Sequence, residues 1–472
     1  GRYCFYQSAL TQINIPIHTR YIEEYAFKNC NNLSSITLHD NSELISIGSY
    51  GFESSGLEQI KITSKVQKIG NYAFSNCQKL QTVEFSNNSC YTFIENYTFR
   101  STLIKEIKLP DSVRKIEDYA FDNCRSLKTI EFTDNSELNF IGNYAFRSTQ
   151  IEKISFPSKI QQIGENAFNA CSNLKTVEFK EKSELYIIKR YAFQSCTFDK
   201  ITIPANTRII EDYAFYNCSY LAKIDFQPNS QLISIGDYIL QNTRVNEIVL
   251  PPTLECIKDR CFKGNSYLSK IVFSKESKHF AIVDNCMILY KAHDDNPDFD
   301  TLISVSQNTE SLIVPPSVKE ISRYALDGCN RLKRFEISKG SNLKYIHQDV
   351  FKDKNLEEII VPFCLINIQS YINKYENVTR IGIIDDEVRL NKYTFFDVPN
   401  VKQVSLQYAK KIYVDNSCPK LEVFTCFDVP VYGSYSNTIQ IREIEDELFK
   451  KNRFPSMNDV ITYYHEKEKK RK

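Results

Sequence analysis

The sequence predicts a repeat solenoid, α/β to mainly-β in character, with one parallel sheet along one face of the array. The first observation behind this prediction is a segment that recurs with few changes. IEEYAFKNCNNLSSITL begins at residue 22, IEDYAFDNCRSLKTIEF at residue 116 and IEDYAFYNCSYLAKIDF at residue 210. Successive copies begin 94 residues apart, and such fixed spacing is typical of repeat architectures.

The second observation is a shorter period inside these copies. The residue that opens each coil, which is nearly always aliphatic, recurs after steps that alternate between 23 and 24 residues, giving a two-coil unit of 47 residues. The coils open at Leu10, Leu33, Leu57, Leu80, Ile104, Leu127, Ile151, Leu174, Phe198, Leu221, Val245 and Leu268. The same frame returns at Thr309, Leu332 and Leu356, so we expect about 15 clear coils followed by degenerate ones.

The third observation is the residue pattern within a coil. In LKTVEF, residues 174–179, the apolar residues stand at offsets 0, 3 and 5 from the start of the coil. A strand sends alternate side chains to opposite faces, so offsets 3 and 5 point into a core and offsets 2 and 4 face solvent. The second half of most coils carries a phenylalanine, usually after an alanine, at a fixed position. One coil cannot bury its own apolar face, but stacked coils share a continuous core.

The repeat consensus resembles the BspA-type leucine-rich repeat. VNEIVLPPTLECIKDRCFKGN at residues 245–265 and ITIPANTRIIEDYAFYNC at residues 201–218 carry the resemblance, which extends over roughly residues 1–365. It implies a curved, right-handed solenoid. It also implies a surface or secreted protein of the kind found in bacteria and protozoan parasites, implicated in adhesion to host proteins or to other cells. The family brings no catalytic residues with it.

The frame divides the chain into five predicted segments. Residues 1–279 form the regular array, residues 280–308 an irregular hairpin insertion, and residues 309–377 further coils. Residues 378–438 are expected to form degenerate coils. Residues 439–472 are expected to form a helical C-terminal cap with a charged tail, in two polar helices separated by Pro455.

Composition and motifs argue against several classes of function. The formal net charge of the 472-residue chain is +1, which gives no general attraction to nucleic acid or to acidic membranes. No run reaches the roughly 18 apolar residues that a membrane span requires. HExxH, GxSxG, the P-loop and GxGxxG are all absent from the sequence. We therefore expect no enzymatic activity, no cofactor and no metal site.

A regular set of cysteines follows the repeat phenylalanine by three residues in alternate coils. Cysteines two coils apart should be about 10 Å apart, because neighbouring strands are separated by roughly 4.8 Å. A disulfide needs Cα atoms within about 7 Å, so we interpret this set as buried structural thiols. Free thiols fit a reducing compartment, although the family resemblance favours the cell surface. The set is Cys30, Cys77, Cys124, Cys171 and Cys218.

The outward strand positions give the candidate binding site. At offset 4 the early coils carry charges of alternating sign, which are expected to stabilise the stacking of neighbouring coils. The later coils instead carry Val249, Val272, Ile313 and Ile360 at this offset, interrupted by Glu336. Such an apolar stripe is either covered by the insertion at 280–304 or bound by a partner. The candidate partner-binding residues are these four together with the flanking Glu247 and Lys270.

The sequence thus predicts a non-enzymatic, protein-binding solenoid. The first hypothesis is an adhesion or recognition protein that binds a host or cell-surface protein through its sheet face. The alternative is an intracellular scaffold for protein–protein interaction, which leaves the localisation open between the cell surface or exterior and the cytoplasm. We expect no nucleic-acid partner and no membrane span in this chain. End-to-end association at the uncapped N-terminal coil is a further expectation, because an open strand edge invites pairing.

Overall fold

The fold was analysed in a computed structural model. It describes residues 1–274, 276–284, 287–291, 299–343, 346–351, 355–362, 365, 377–390, 400–406, 409–414, 421–426, 431–433 and 439–444. The chain divides into two compact units, Gly1–Lys278 and His279–Lys472.

The first half of each coil in the N-terminal unit forms a strand, and these strands pair in parallel in successive groups of two or six, which together we call the long-strand ladder. Their register advances by one coil at each step, as Lys153 opposite Thr176 and Phe156 opposite Phe179 illustrate. Inward and outward side chains alternate in burial, as the coil pattern predicts. The strands are Gln12–Asn14, Ser35–Thr37, Gln59–Ile62, Thr82–Phe85, Glu106–Lys108, Thr129–Glu131, Lys153–Phe156, Thr176–Phe179, Lys200–Ile203, Lys223–Phe226, Glu247–Leu250 and Lys270–Phe273.

The second half of each coil contributes a two-residue strand, and these pair in a second parallel array, the short-strand ladder. The sequence predicts one parallel sheet, and the short-strand ladder is a second parallel array that this prediction lacks. Its inward residues are mostly isoleucines, such as Ile116 opposite Ile141, which are fully buried. The strands are Tyr21–Ile22, Ser46–Ile47, Lys68–Ile69, Phe93–Ile94, Lys115–Ile116, Phe140–Ile141, Gln162–Ile163, Ile187–Ile188, Ile209–Ile210, Ser234–Ile235 and Cys256–Ile257.

A series of tight turns follows each short strand and hydrogen-bonds to the same turn in the next coil. In the coil that contains residue 121, Tyr119 and Asn123 adopt the left-handed conformation, with φ of 58° and 60°. The backbone N–H of Phe121 donates to the carbonyl of Ala145 at 2.8 Å, and that of Asn123 donates to Arg147 at 2.8 Å. Positive φ is uncommon for a tyrosine. The cross-coil hydrogen bonds hold the backbone in this conformation.

Two aromatic stacks run through these turns. The repeat phenylalanines stack from Phe5 to Phe215, with ring centroids 5.0 to 5.9 Å apart, and all of them except the exposed Phe5 lie in the core. The tyrosines two residues before them form a parallel stack from Tyr3 to Tyr144, with centroids 4.4 to 4.9 Å apart. Each ring therefore packs on the coil above and the coil below, so stability is shared between neighbours.

The C-terminal unit begins with an antiparallel segment and continues as parallel coils. Phe280–Val283 pairs antiparallel with Met287–Tyr290, which pairs antiparallel with Thr301–Val305. A seven-stranded parallel sheet consists of Ser311–Val314, Arg334–Ile337, Glu358–Val361, Arg380–Ile383, Gln403–Leu406, Leu421–Cys426 and Ile439–Ile444. The remaining elements are the strands Glu320–Ile321, Glu387–Leu390, Lys411–Val414 and Val431–Gly433 and a 3₁₀ helix at Gln348–Phe351. The described residues therefore form a parallel β-solenoid with almost no helix, which confirms the predicted fold class.

The C-terminal segment differs from its prediction where the structure describes it. Ile439–Ile444 is a strand that pairs in parallel with Leu421–Cys426, whereas the sequence analysis expects a helix from residue 440 onwards. The physical reason is that the preceding strand offers unpaired backbone groups. Ile439 and Ile441, which alternate with polar residues, suit such a strand. The rest of the expected helical cap, residues 445–472, lies outside the described residues.

Candidate functional site

The last two coils of the N-terminal unit place four of the six predicted binding residues side by side. Glu247 lies opposite Lys270, and Val249 lies opposite Val272, all at outward positions of the long-strand ladder. The Nζ atom of Lys270 is 2.6 Å from Oε1 of Glu247. The Val249 side chain is 56 % exposed, and Val272 is half-buried. We call these four residues the valine patch.

The other two predicted residues lie in the C-terminal unit and differ from each other. Ile313 is 44 % exposed and lies opposite Glu336. Ile360 is only 5 % exposed, so the expectation that it belongs to an open apolar stripe is wrong. It lies opposite Gly382, and its Cγ1 atom comes within 2.9 Å of the position that a Cβ on that glycine would occupy. The glycine leaves space that the isoleucine side chain fills.

Charge is also buried on that outward face of the C-terminal unit. Glu358, one pleat away from Ile360, is 4 % exposed, and its Oε2 lies 3.2 Å from Nε of Arg334. Burial raises the pKa of Glu336, while the nearby Arg334 opposes that shift. A carboxylate is rarely buried without a cationic partner, and here the partner comes from a neighbouring strand. Outward positions in this unit are therefore not simply solvent-facing.

The early coils of the N-terminal unit carry opposite charges on neighbouring strands. Lys61 lies opposite Glu84, and Lys108 lies opposite Glu131, in the register that the sequence analysis predicts. A cavity of ≈ 1090 Å³ opens on this stretch. Its lining contains no histidine and no cysteine, so it offers neither a thiol nucleophile nor an imidazole base. The charged lining residues are Glu84, Glu106, Lys108, Asp111 and Glu131.

The five cysteines of the predicted set are buried free thiols. Each Sγ donates to the carbonyl of the phenylalanine in the preceding coil, for example Cys124 to Phe99 at 3.0 Å. The matching position of that preceding coil often carries a hydroxyl, and Oγ1 of Thr102 lies 3.2 Å from Sγ of Cys124. The cysteine and the hydroxyl residue thus alternate as partners along much of the array, in step with the 47-residue period.

The environment of these thiols suppresses their reactivity. Burial raises the pKa of Cys77, Cys124 and Cys171 to about 11 and that of Cys218 to about 12. Burial also raises the pKa of Cys30. A thiol reacts as a nucleophile or binds a metal as its thiolate, so groups with these pKa values are inert at neutral pH. Their role is packing.

Sequence reasoning missed a set of exposed side chains close to the valine patch. Tyr220 and Tyr267 are 55 % and 57 % exposed, and Arg244 stands at the equivalent position of the coil between them. The Cζ atom of Arg244 lies 5.5 Å from the ring centroid of Tyr220. All three residues come immediately before the residue that opens a coil. That shared position is the signal that could have identified them.

The described part of the chain contains neither a metal-binding cluster nor a membrane-spanning helix. No group of three or more His, Cys, Asp or Glu residues there has a geometry that could hold a metal ion. Within the same residues, no helix has the length and apolar character needed to cross a membrane.

Comparison with known proteins places the repeats in a family. Residues 1–93, 92–188, 186–288 and 304–418 match the family described as "BspA type Leucine rich repeat region (6 copies)". No curated protein matches the chain. Among solved structures, a leucine-rich repeat protein from Bacteroides ovatus is similar, with 20% identity over 92% of each chain and a TM-score of 0.47.

Two further solved structures show weaker similarity. The pneumococcal vaccine antigen PcpA is 17% identical over 93% of each chain, with a TM-score of 0.31. A leucine-rich cell surface protein from Faecalibacterium prausnitzii is 17% identical over 91% of this chain and 89% of its own, with a TM-score of 0.30. The family match extends over more than half of the sequence, and the stacked coils have the predicted register. The chain therefore belongs to the BspA-type leucine-rich repeat family.

Proposed function

We propose that this protein is a non-enzymatic, protein-binding solenoid that acts in adhesion or recognition at a cell surface or outside the cell. Its partner is a host or cell-surface protein, bound through the long-strand ladder at the valine patch. The single observation that carries this proposal is the exposure of Val249, at 56 %, beside Val272 on a face that is polar over the earlier coils. Family membership supports a binding role.

The valine patch has the composition of a small binding anchor. Fully burying a valine side chain contributes about 1.5–3 kcal/mol, and because Val249 is 56 % exposed, a partner that covers it gains roughly half of that amount. The ion pair between Glu247 and Lys270, at 2.6 Å, lies beside the two valines and provides a polar rim. A rim charge contributes little affinity but restricts which partner surfaces fit. Ile313, in the other compact unit, is a separate candidate contact.

The test replaces one valine by a charged residue. Labelled full chain, as wild type or Val249→Asp, is added to cultured epithelial cells and to plates coated with fibronectin, laminin or collagen. A buried, unpaired carboxylate opposes binding, so we expect at least a tenfold loss of affinity for whichever surface the wild type binds. Val272→Asp gives a second substitution within the patch.

The matched control is Thr37→Asp. Thr37 is an exposed residue at the same outward strand position in an early coil, far along the sequence from the patch. This variant should bind like the wild type. Unchanged binding of both Val249→Asp and Val272→Asp, with circular dichroism showing an intact fold, would contradict the assignment of the patch.

The alternative function is an intracellular protein-binding scaffold. The observation that favours it is that the cysteines in the described part of the chain are free thiols, which fits a reducing compartment. Treating intact cells of the source organism with a membrane-impermeant biotin reagent distinguishes the two. Labelling of this protein on unbroken cells supports the surface role. Labelling only after lysis supports the scaffold.

A further inference from the structure

A row of aromatic and cationic side chains flanks the valine patch. Tyr220, Arg244 and Tyr267 stand one residue before the openers of three successive coils, and we call them the Tyr–Arg–Tyr row. Equivalent positions on neighbouring coils repeat at roughly the 4.8 Å spacing of paired strands. Both tyrosines are more than half exposed, at 55 % and 57 %. Three of the most exposed large apolar side chains of the N-terminal unit, these tyrosines and Val249, thus lie within three coils.

The guanidinium of Arg244 stacks on an aromatic ring and has no acidic partner among the residues that the structure describes. Its Cζ atom lies 5.5 Å from the centroid of Tyr220, and no ion pair involves it in the described part of the chain. The carboxylates on the neighbouring strands are already paired. Asp225 lies 2.8 Å from Nζ of Lys223, and Glu247 lies 2.6 Å from Nζ of Lys270. Arg244 therefore presents a positive charge that no described carboxylate pairs with, next to the exposed ring of Tyr220 and one coil before Tyr267.

We propose that the Tyr–Arg–Tyr row binds an acidic segment of the partner protein, in which an Asp or Glu stands next to an apolar or aromatic residue. This inference rests on the proposed function and adds the chemistry of the partner. A guanidinium stacked on a ring keeps its N–H edge available, and that edge matches a carboxylate in a bidentate pair. The flanking tyrosines supply rigid apolar area at low entropic cost.

The row and the valine patch are close enough for one short segment to contact both. Tyr267 precedes Lys270 by three residues and Val272 by five in the same coil. Five residues of extended chain span about 17 Å at most, so Tyr267 and Val272 are no farther apart than this. A partner strand of about five residues is long enough to contact both. The partner segment therefore combines an apolar anchor over the valines with an acidic residue at Arg244.

The experiment uses a defined probe, a phage-displayed library of random 12-residue peptides selected on the immobilised full chain. On the wild type we expect enrichment of peptides that carry Asp or Glu next to Phe, Trp, Tyr or Leu. Binding of the enriched peptides should fall at least tenfold on Arg244→Glu, because a carboxylate then faces a carboxylate. Their binding should also weaken as salt rises from 0.05 to 0.5 M, since an exposed charge pair is screened.

The matched control is Arg208→Glu. Arg208 stacks on an exposed tyrosine in the same way, with its Cζ atom 5.9 Å from the centroid of Tyr186. It differs in position, because it lies immediately before the short strand Ile209–Ile210 and not before a strand of the long-strand ladder. Selected peptides should bind this variant as they bind the wild type. Tyr267→Ala removes one ring without changing the charge and should weaken binding severalfold. Unchanged circular dichroism establishes that each variant is folded.

The outcomes separate this inference from the proposed function. Peptides whose binding depends on Val249 but not on Arg244 would overturn the inference and leave the valine patch in place. Peptides that depend on neither residue, enrichment without acidic residues, or no enrichment over the bare support would also overturn it. The adhesion assay with Val249→Asp tests the proposed function independently of any peptide.

Discussion

Asp122 provides the sharpest test of how charge is accommodated between coils. Its side chain is 1 % exposed and accepts hydrogen bonds from two arginines on neighbouring coils. The Nε of Arg147 donates at 2.8 Å and its Nη2 at 3.1 Å, while Nε of Arg100 donates at 3.2 Å. The same arginines stack on tyrosine rings, with Cζ of Arg147 lying 4.9 Å from the centroid of Tyr144. The substitution Asp122→Asn keeps the size of the side chain and removes its charge.

The expected loss follows from these contacts. A hydrogen bond to a charged group contributes about 1.5–3 kcal/mol, and removing one partner of a fully buried ion pair costs about 3–5 kcal/mol. The arginine side chains are 40% and 36% exposed, so water replaces part of what they lose. We therefore expect Asp122→Asn to lower the free energy of unfolding by about 2–3 kcal/mol. Arg147→Gln should cost more than Arg100→Gln, because Arg147 donates two bonds and Arg100 one.

The assay is urea unfolding of the full chain followed by far-ultraviolet circular dichroism, with backbone hydrogen exchange to locate the effect. Exchange protection should fall first in the coils on either side of Asp122, because each coil contacts only its neighbours. Because the carboxylate is buried, 1 M salt should leave most of the difference in place. A loss below 0.5 kcal/mol, or one that 1 M salt abolishes, would refute the reasoning and place Asp122 among weak surface pairs.

Two further predictions concern thiols and acid. Iodoacetamide at pH 8 should modify the exposed Cys90 and Cys256 in the folded chain. The buried set, Cys30, Cys77, Cys124, Cys171 and Cys218, should react only after urea is added, and peptide mass mapping measures both. Equal labelling of the two groups in the folded chain would contradict the burial of the five cysteines. The Lys339 and Lys410 ammonium groups lower the pKa of Asp386 to about 2, so its stabilising pairing is fully present above pH about 3.8 and is lost as pH falls through about 2. Lys339→Gln should therefore unfold more easily than the wild type at pH 5, and this difference should shrink as the pH falls to 2; a difference as large at pH 2 as at pH 5 would contradict this.

The repeat frame was predictable because it depends on local sequence alone. The strand at Lys153–Phe156 and its register with Thr176–Phe179 follow from the positions of the coil openers and from the alternation of apolar residues. The pairing of Glu247 with Lys270 follows in the same way. A stacked array keeps this spacing, because shifting the register of a strand by one residue would turn every inward side chain outward.

Features that depend on distant chain segments were not predictable. The burial of Ile360 follows from its environment in the C-terminal unit and from the space over Gly382, which a coil frame does not encode. The strand at Ile439–Ile444 forms on the edge of the preceding strand, although its sequence also suits a helix. For Ile360 the tertiary environment overrides the local pattern, whereas for Ile439–Ile444 it decides between two structures that the local sequence permits.

The same distinction explains why the Tyr–Arg–Tyr row is hard to find in the sequence and why it is a strong functional candidate. The repeat positions of Phe121, shared by most coils, and of Cys124, shared by alternate coils, are fixed by stacking, and both side chains are fully buried. The position of Arg244, just before the coil opener, carries an exposed side chain in these three coils, while its backbone N–H donates to the carbonyl of Leu221 in the preceding coil. Beyond the contact of Arg244 with the ring of Tyr220, an exposed aromatic or cationic side chain there adds little to the packing of one coil on the next. Its repetition over three successive coils is therefore better explained by what it binds than by what it stabilises.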